Sequence, residues 1–217
     1  SVKHNYPMYS LENCYTKEDL VKWKNRLTKT LNTDKISFSC ELKLDGVSIS
    51  LCYQNGNLIR GLTRGDGQKG DDVTKNLRTI NTIPLKTLKK IDYDFEIRGE
   101  VVIEKTDFEQ LNKLRLKNGE EPYMNPRNTA SGSIKLVSSK EVRKRPLKCY
   151  FFQILSDKSP FKSQSESLSL AKELGFNVSS THQYCKNIDE VFDYINFWDK
   201  ERKNLNFEID GLSLIHI

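Results

Sequence analysis

At 217 residues, with 36% hydrophobic and 29% charged side chains, the chain is long enough to bury a core as one large domain or two small ones. No apolar run approaches membrane-spanning length and the N-terminal stretch lacks a signal-peptide apolar segment, so a soluble cytoplasmic protein with no membrane partner is expected. The net charge of +6 permits a polyanionic partner without requiring one, while five cysteines without a Cys-x-x-Cys pair indicate reduced, mostly buried thiols and no zinc site.

Residues 1–16 read as an irregular lead-in. The pattern then predicts a helix over 17–31, capped by Thr16 with Asp19 three residues on, and carrying Leu20, Trp23 and Leu27 on one stripe. Strands are expected at 36–43 and 46–54 and, after the type I′ turn signal Asn55-Gly56, at 57–63. A further strand pair surrounds Phe95 to Ile103, and a helix near 105–118 stops at Asn118-Gly119. Asn125-Pro126-Arg127-Asn128 turns into a short helix, and Cys149 to Leu155 has the length of a buried strand. Helices near 163–174 and 188–203 precede a last strand from Phe207. Without a regular βαβ rhythm, the order implies an α+β fold with largely antiparallel sheets flanked by helices.

Several clusters carry chemistry. In Glu41-Leu42-Lys43-Leu44-Asp45-Gly46, strand alternation puts Glu41, Lys43 and Asp45 on one face, with the lysine between two carboxylates. An amine so placed is a candidate nucleophile, which must lose its proton before attacking phosphorus. Thr63-Arg64-Gly65-Asp66-Gly67, continued by Gly70-Asp71-Asp72, lets backbone approach a ligand closely and offers Arg64 to a phosphate. Glu96, Arg98 and Glu100 alternate on one face, where a carboxylate suits a ribose hydroxyl or Mg²⁺ and cross-strand salt bridges are the alternative. Arg127 and Lys135 place two cations on one turn-helix unit, suited to phosphate contacts. Arg202 closes the last helix before Phe207-Glu208-Ile209-Asp210-Gly211.

Taken together, in this order and spacing from Tyr6-Pro7-Met8-Tyr9-Ser10-Leu11-Glu12-Asn13 to Gly211, these motifs resemble the adenylation domain of bacterial-type NAD⁺-dependent DNA ligases. The resemblance implies a nucleotidyltransferase (ATP-grasp-like ligase adenylation) fold over residues 1–211. It implies that Lys43 attacks the α-phosphorus of NAD⁺ to form lysyl-AMP, with Asp45 beside it. Ser10, Leu11, Glu41, Gly46, Arg64, Glu100 and Asp210 are then expected around the nucleotide, with Glu41 reading the adenine edge and Glu100 holding the ribose. Arg127, Lys135 and Arg202 are expected at DNA or nucleotide phosphates. Mg²⁺ is the implied metal, with no ligand residue assigned. The implied partner is nicked double-stranded DNA, sealed in replication and repair by a monomeric, nucleoid-associated enzyme. Alternatives are an ATP-dependent polynucleotide ligase or capping-type nucleotidyltransferase, or a non-catalytic DNA-binding module.

Two departures from the family stand out. Lys135 occupies a position where arginine is expected, which keeps the charge but loses bidentate geometry. After Gly211, Leu212-Ser213-Leu214-Ile215-His216-Ile217 replaces a run containing a nucleotide-binding lysine. These six residues are what CTG TCT CTT ATA CAC ATC encodes, the transposase mosaic-end adapter, so 212–217 is expected to be a non-native read-through tail. The chain is accordingly expected to be a fragment that cannot complete ligation.

Overall fold

Local signals in the sequence are satisfied locally. The computed structural model describes residues 1–216, with side chains over 1–215. Helix α1, Lys17–Leu31, begins at a capping box: Thr16 Oγ1 accepts from the Asp19 backbone N–H at 3.1 Å, and Asp19 Oδ2 accepts from the Thr16 N–H at 3.2 Å. Asn55 and Gly56 both take positive φ, 48° and 75°, and join β3 (Val47–Gln54) to β4 (Asn57–Thr63) as a hairpin. Asn125 caps α4 (Pro126–Ile134), its side chain accepting from the Asn128 N–H at 2.8 Å.

The strands form two main antiparallel sheets and one small ribbon. In the first sheet β2 (Phe38–Leu44) lies between β8 (Gln183–Cys185) and β9 (Ile209–His216). The second has the order β4-β3-β6-β7, with β6 at Phe95–Ile103 and β7 at Leu147–Leu155. The ribbon pairs β1 (Val2–Lys3) with β5 (Lys69–Gly70).

Period-two alternation gives each main sheet one apolar face. Ile49, Leu51, Tyr53, Ile97 and Val101 pack with Ala130 and Ile134 of α4 and with Ala171 of α6 (Gln164–Glu173). Each fully buried aliphatic side chain there contributes roughly 1.5–3 kcal/mol. A separate core joins Phe38, Cys40 and Leu42 of β2 to Leu20 of α1 and to Val191 and Tyr194 of α7 (Ile188–Glu201). The remaining faces carry Ser39, Glu41 and Lys43 on β2 and Ser48, Ser50, Glu96 and Glu100 on β3 and β6.

The α+β class with antiparallel sheets is observed. Four pieces had no sequence signal: the β1–β5 ribbon, β8, α2 (Thr74–Leu77) and α5 (Ser139–Arg143). Each is five residues or shorter, too short for a period to show. The last strand starts at Ile209 instead of Phe207, because Asn206 is held elsewhere. Its carbonyl accepts from the Lys105 N–H at 2.6 Å and its side chain accepts from the Thr106 N–H at 3.2 Å. It thereby caps α3 (Lys105–Lys117), whose own flanking Glu104 makes no cap bond. Residues 212–216 continue β9, with Leu212 and Leu214 packed on the smaller core, a pairing their alternation allows whatever their coding origin. Ile217 lies outside the described residues. No helix among the described residues is long and apolar enough to cross a membrane.

Candidate active site

Lys43 is the penultimate residue of β2 and pairs across the sheet with Gly211. The next pair is Leu44 with Ile209, so Asp210 is an extra, unpaired residue on β9. Such a bulge re-aims a side chain. Here it brings both carboxylate oxygens of Asp210 to Lys43 Nζ, at 2.7 and 2.9 Å. The sequence expectation of a lysine held between Glu41 and Asp45 is therefore corrected. The strand ends at Leu44, and each of the three residues takes its own partner.

Asp45 sits in the bend between β2 and β3. Its N–H donates to the Glu208 carbonyl at 2.9 Å, and its Oδ1 accepts from Arg127 Nη1 at 2.8 Å. Arg127, at the start of α4, also lies 3.9 Å from Asp210. Lys43, Asp210, Arg127 and Asp45 thus form a chain of two cations and two anions drawn from four segments. Lys43 and Arg127 remain substantially exposed, with side-chain exposures of 45% and 56%, so these pairs add little stability, about 0–1 kcal/mol each. Their effect is to arrange charge.

Gly46 turns the chain against β6. A Cβ there would fall 2.3 Å from the Val101 carbonyl oxygen, a backbone atom that cannot step aside. Gly46→Ala is expected to cost about 1–3 kcal/mol and to push the Lys43–Asp45 segment off β6. Thermal unfolding measures the first effect. An unchanged melting temperature would mean that the turn has more room than this contact allows.

Glu100 lies opposite Ser48, whose hydroxyl donates to Oε2 at 2.6 Å. Burial pushes its carboxyl from 4.5 up to about 7, against the opposing pull of Ser48, Lys43 and Arg127, while Asp210 pushes it further up. Glu96 is likewise capped by a serine, Ser50, at 3.0 Å, so neither glutamate uses a cross-strand salt bridge. Arg98 instead donates to the Tyr6 and Pro7 carbonyls at 3.1 and 2.6 Å and ties the lead-in to the sheet.

Arg64 follows β4, and its N–H donates to the Ser48 carbonyl at 3.1 Å, which places it in line with Ser48 and Glu100 across three strands. Its side chain is exposed and makes no ion pair among the described residues. Its carbonyl accepts from Nε2 of the buried His4 at 3.1 Å. Gly65 then folds back at φ 57°, where a Cβ would fall 1.9 Å from the Lys69 carbonyl oxygen. Only glycine fits there.

Glu41 projects from β2 toward Gln164, whose Nε2 donates to Oε1 at 2.8 Å, with Ser39 Oγ on the same oxygen at 3.5 Å. Burial pushes the Glu41 carboxyl up, and both hydrogen bonds oppose that.

Glu41, Lys43, Asp45, Gly46, Arg64, Glu100, Arg127 and Asp210 therefore line neighbouring strands and one helix end. Four other expected residues are not drawn in. Lys135 pairs with Asp71 at 3.0 Å. Arg202 is exposed on the 3₁₀ turn Arg202–Asn204 with no ion pair among the described residues. Ser10 and Leu11 lie exposed in the lead-in without a hydrogen bond to the cluster. Sequence reasoning missed Ser48, Gln164 and Asn206. Ser48 had a signal, since Ser48 and Ser50 alternate with apolar residues in β3, whereas Gln164 and Asn206 had none.

A cavity of about 370 Å³ beside the charge chain is lined by Asp45, Asn125, Pro126, Arg127, Asn128 and Glu208. A larger one, about 520 Å³, lies between the start of α7, β8 and α1 and touches none of these site residues. Among the described residues no group of three or more His, Cys, Asp or Glu could hold a metal. Asp45 and Asp210 already face cations, so the described residues offer Mg²⁺ no cage of their own.

Comparison with known proteins agrees with the motif reading. A family model described as the NAD-dependent DNA ligase adenylation domain matches residues 1–216. The DNA ligase of Flavobacterium psychrophilum is 49% identical over 212 residues, covering 98% of this chain and 32% of the relative. Those of Flavobacterium johnsoniae and Bacteroides fragilis are 47% and 46% identical with the same coverage. The chain thus spans about a third of the length of the curated relatives it matches.

Proposed function

The chain belongs to the NAD-dependent DNA ligase adenylation domain family, and on that premise we propose that it forms lysyl-AMP from NAD⁺ on Lys43 and passes the AMP to a 5′-phosphate at a nick in DNA. The observation that carries this reading is the Lys43–Asp210 contact at 2.7 Å, set in a charge chain with Arg127 and Asp45. An ammonium has no lone pair, so Nζ gives up one proton before it attacks the α-phosphorus and a second as the phosphoramidate forms. Asp210, 2.7 Å away, is the nearest acceptor and relays both to solvent. The phosphorus–oxygen bond to nicotinamide mononucleotide breaks, and that group leaves with the electron pair. Arg127 balances the carboxylates that would otherwise repel an incoming phosphate. Glu100 offers an acceptor to ribose hydroxyls, Arg64 contacts the ribose or phosphate, and Glu41 contacts the adenine edge. Ser10 and Leu11 would join the nucleotide from the lead-in, and Arg202 and Lys135 would meet phosphates of DNA. A Mg²⁺ ion fits only as a companion of the nucleotide's phosphates, whose charge it would neutralise. The fold reading that accompanies this is a nucleotidyltransferase fold, supported by a Lys43 strand and a Glu100 strand drawn from the two main sheets.

The test is intact-protein mass spectrometry of the full-length protein incubated with Mg²⁺ and either NAD⁺ or ATP. One AMP adduct with NAD⁺ alone, with nicotinamide mononucleotide released, is expected. An adduct with ATP instead would move the protein to the ATP-dependent branch. No adduct with either, together with salt-dependent DNA binding, would reduce it to a binding module.

A further inference from the structure

Gln164 is the first residue of α6 and links the two main sheets, bonding to one strand of each. Its Nε2 donates 2.8 Å to Glu41 Oε1 on β2 and 2.6 Å to the Phe152 carbonyl on β7. The Phe152 carbonyl can only accept, which fixes the orientation of the amide, and with an ionised Glu41 as the second acceptor both its hydrogens are committed. Its backbone is fixed as well, because the preceding Ser163 caps α6 through the Glu166 N–H at 3.2 Å. On Glu41 the consequence is asymmetric. Oε1 receives Gln164 and, more weakly, Ser39, while Oε2 has no hydrogen-bond partner among the described residues. One oxygen is anchored to the protein and the other is left for a ligand.

We infer that Gln164 is a positioning residue that sets base selectivity: by holding Oε1 it presents Glu41 Oε2 as a fixed acceptor for a purine 6-amino group. The inference rests on the reading of Glu41 as the residue that meets the base. Adenine carries a donor at that edge, whereas hypoxanthine carries an oxygen that an ionised carboxylate repels. Gln164 also favours the ionised state, since the N–H it gives to Oε1 stabilises the charged oxygen. Without it the carboxylate is free to rotate, and its buried form is able to hold a proton and donate to a 6-oxo group. Selectivity then falls even though Glu41 itself is intact.

The experiment measures covalent nucleotidyl-enzyme formation by the full-length protein with NAD⁺ and with nicotinamide hypoxanthine dinucleotide. Gln164→Met keeps the length of the side chain and removes both donors. It is expected to lower the adenine-over-hypoxanthine ratio of kcat/KM about tenfold, through KM for NAD⁺ with kcat retained. Gln164→Glu, of the same shape but with an anion beside Glu41, is expected to lower it further. Glu41→Gln, run alongside, is expected to collapse the ratio too. An unchanged ratio in both Gln164 variants, with the Glu41 variant collapsed, overturns the inference and leaves the Glu41 reading standing. An unchanged ratio in all three overturns both. Equal losses for the two dinucleotides, with a lowered melting temperature, would make Gln164 a structural tie only and likewise overturn the inference.

Discussion

Lys43→Ala is expected to abolish the AMP adduct, by at least about 10³-fold, while leaving the fold in place. The loss follows from the chemistry: Lys43 is the only amine in the charge chain, and the other cation, Arg127, is a delocalised guanidinium and a poor nucleophile. Lys43→Arg is expected to fail equally, although it keeps the charge and the pairing with Asp210. The preserved fold follows from exposure. The Lys43 side chain is 45% exposed, and an ion pair in that setting is worth about 0–1 kcal/mol, so the melting temperature should shift by only a few degrees. Adduct formation is read by mass spectrometry and folding by thermal unfolding of the same samples. An adduct that persists in Lys43→Ala would falsify the assignment of the nucleophile, and one lost only because the variant unfolds would leave a large fall in melting temperature.

How much of this was legible beforehand depends on how far apart the cooperating residues lie. The Thr16 capping box, the Asn55-Gly56 turn and the Asn125 cap each involve groups within about four residues, and a local signal suffices for them. Motif order was enough to single out Lys43, Glu100 and Asp210 as candidate site residues. Their arrangement was not. The partner of Lys43 lies 167 positions away and reaches it through a bulge, which shifts register without leaving any mark in the alternation of β9. Alternation alone put Asp45 beside Lys43, and it failed because the strand ends one residue earlier, where Gly46 must lie against β6. Arg127 could be read as a phosphate-binding cation, but its contact with Asp45 depends on where α4 packs. Gln164 and Asn206 belong to ordinary polar stretches, and only tertiary contact gives them a role.

Glu100→Gln is expected to stabilise the ligand-free protein at pH 8 and to have almost no effect near pH 4.5. Burial raises the Glu100 carboxyl from 4.5 to about 7, so between those values the folded chain holds a proton that the unfolded chain has released. A carboxyl shifted upward contributes most below its unfolded value. Stability is lost as pH rises through the window from 4.5 to about 7, and the loss is complete above it. The difference corresponds to about 3 kcal/mol at most, the upper bound set by the rise from 4.5 to about 7. Glutamine removes the titration and keeps an acceptor for the Ser48 hydroxyl. The gain in melting temperature over wild type should therefore grow from near zero at pH 4.5 to roughly 5–10 °C at pH 8. A gain that is flat with pH would show that Glu100 does not titrate in this window. The same reasoning sets the direction for nucleotide binding. Ribose hydroxyls that donate to Glu100 favour its ionised form, so binding releases a proton and NAD⁺ affinity should rise with pH up to about 7 and then level off. In Glu100→Gln that rise should vanish, so binding falls furthest below wild type at and above about pH 7 and approaches it at low pH. The carboxylate that the empty protein holds at a cost is the one the nucleotide would relieve, and stability and affinity at this residue are expected to move in opposite directions.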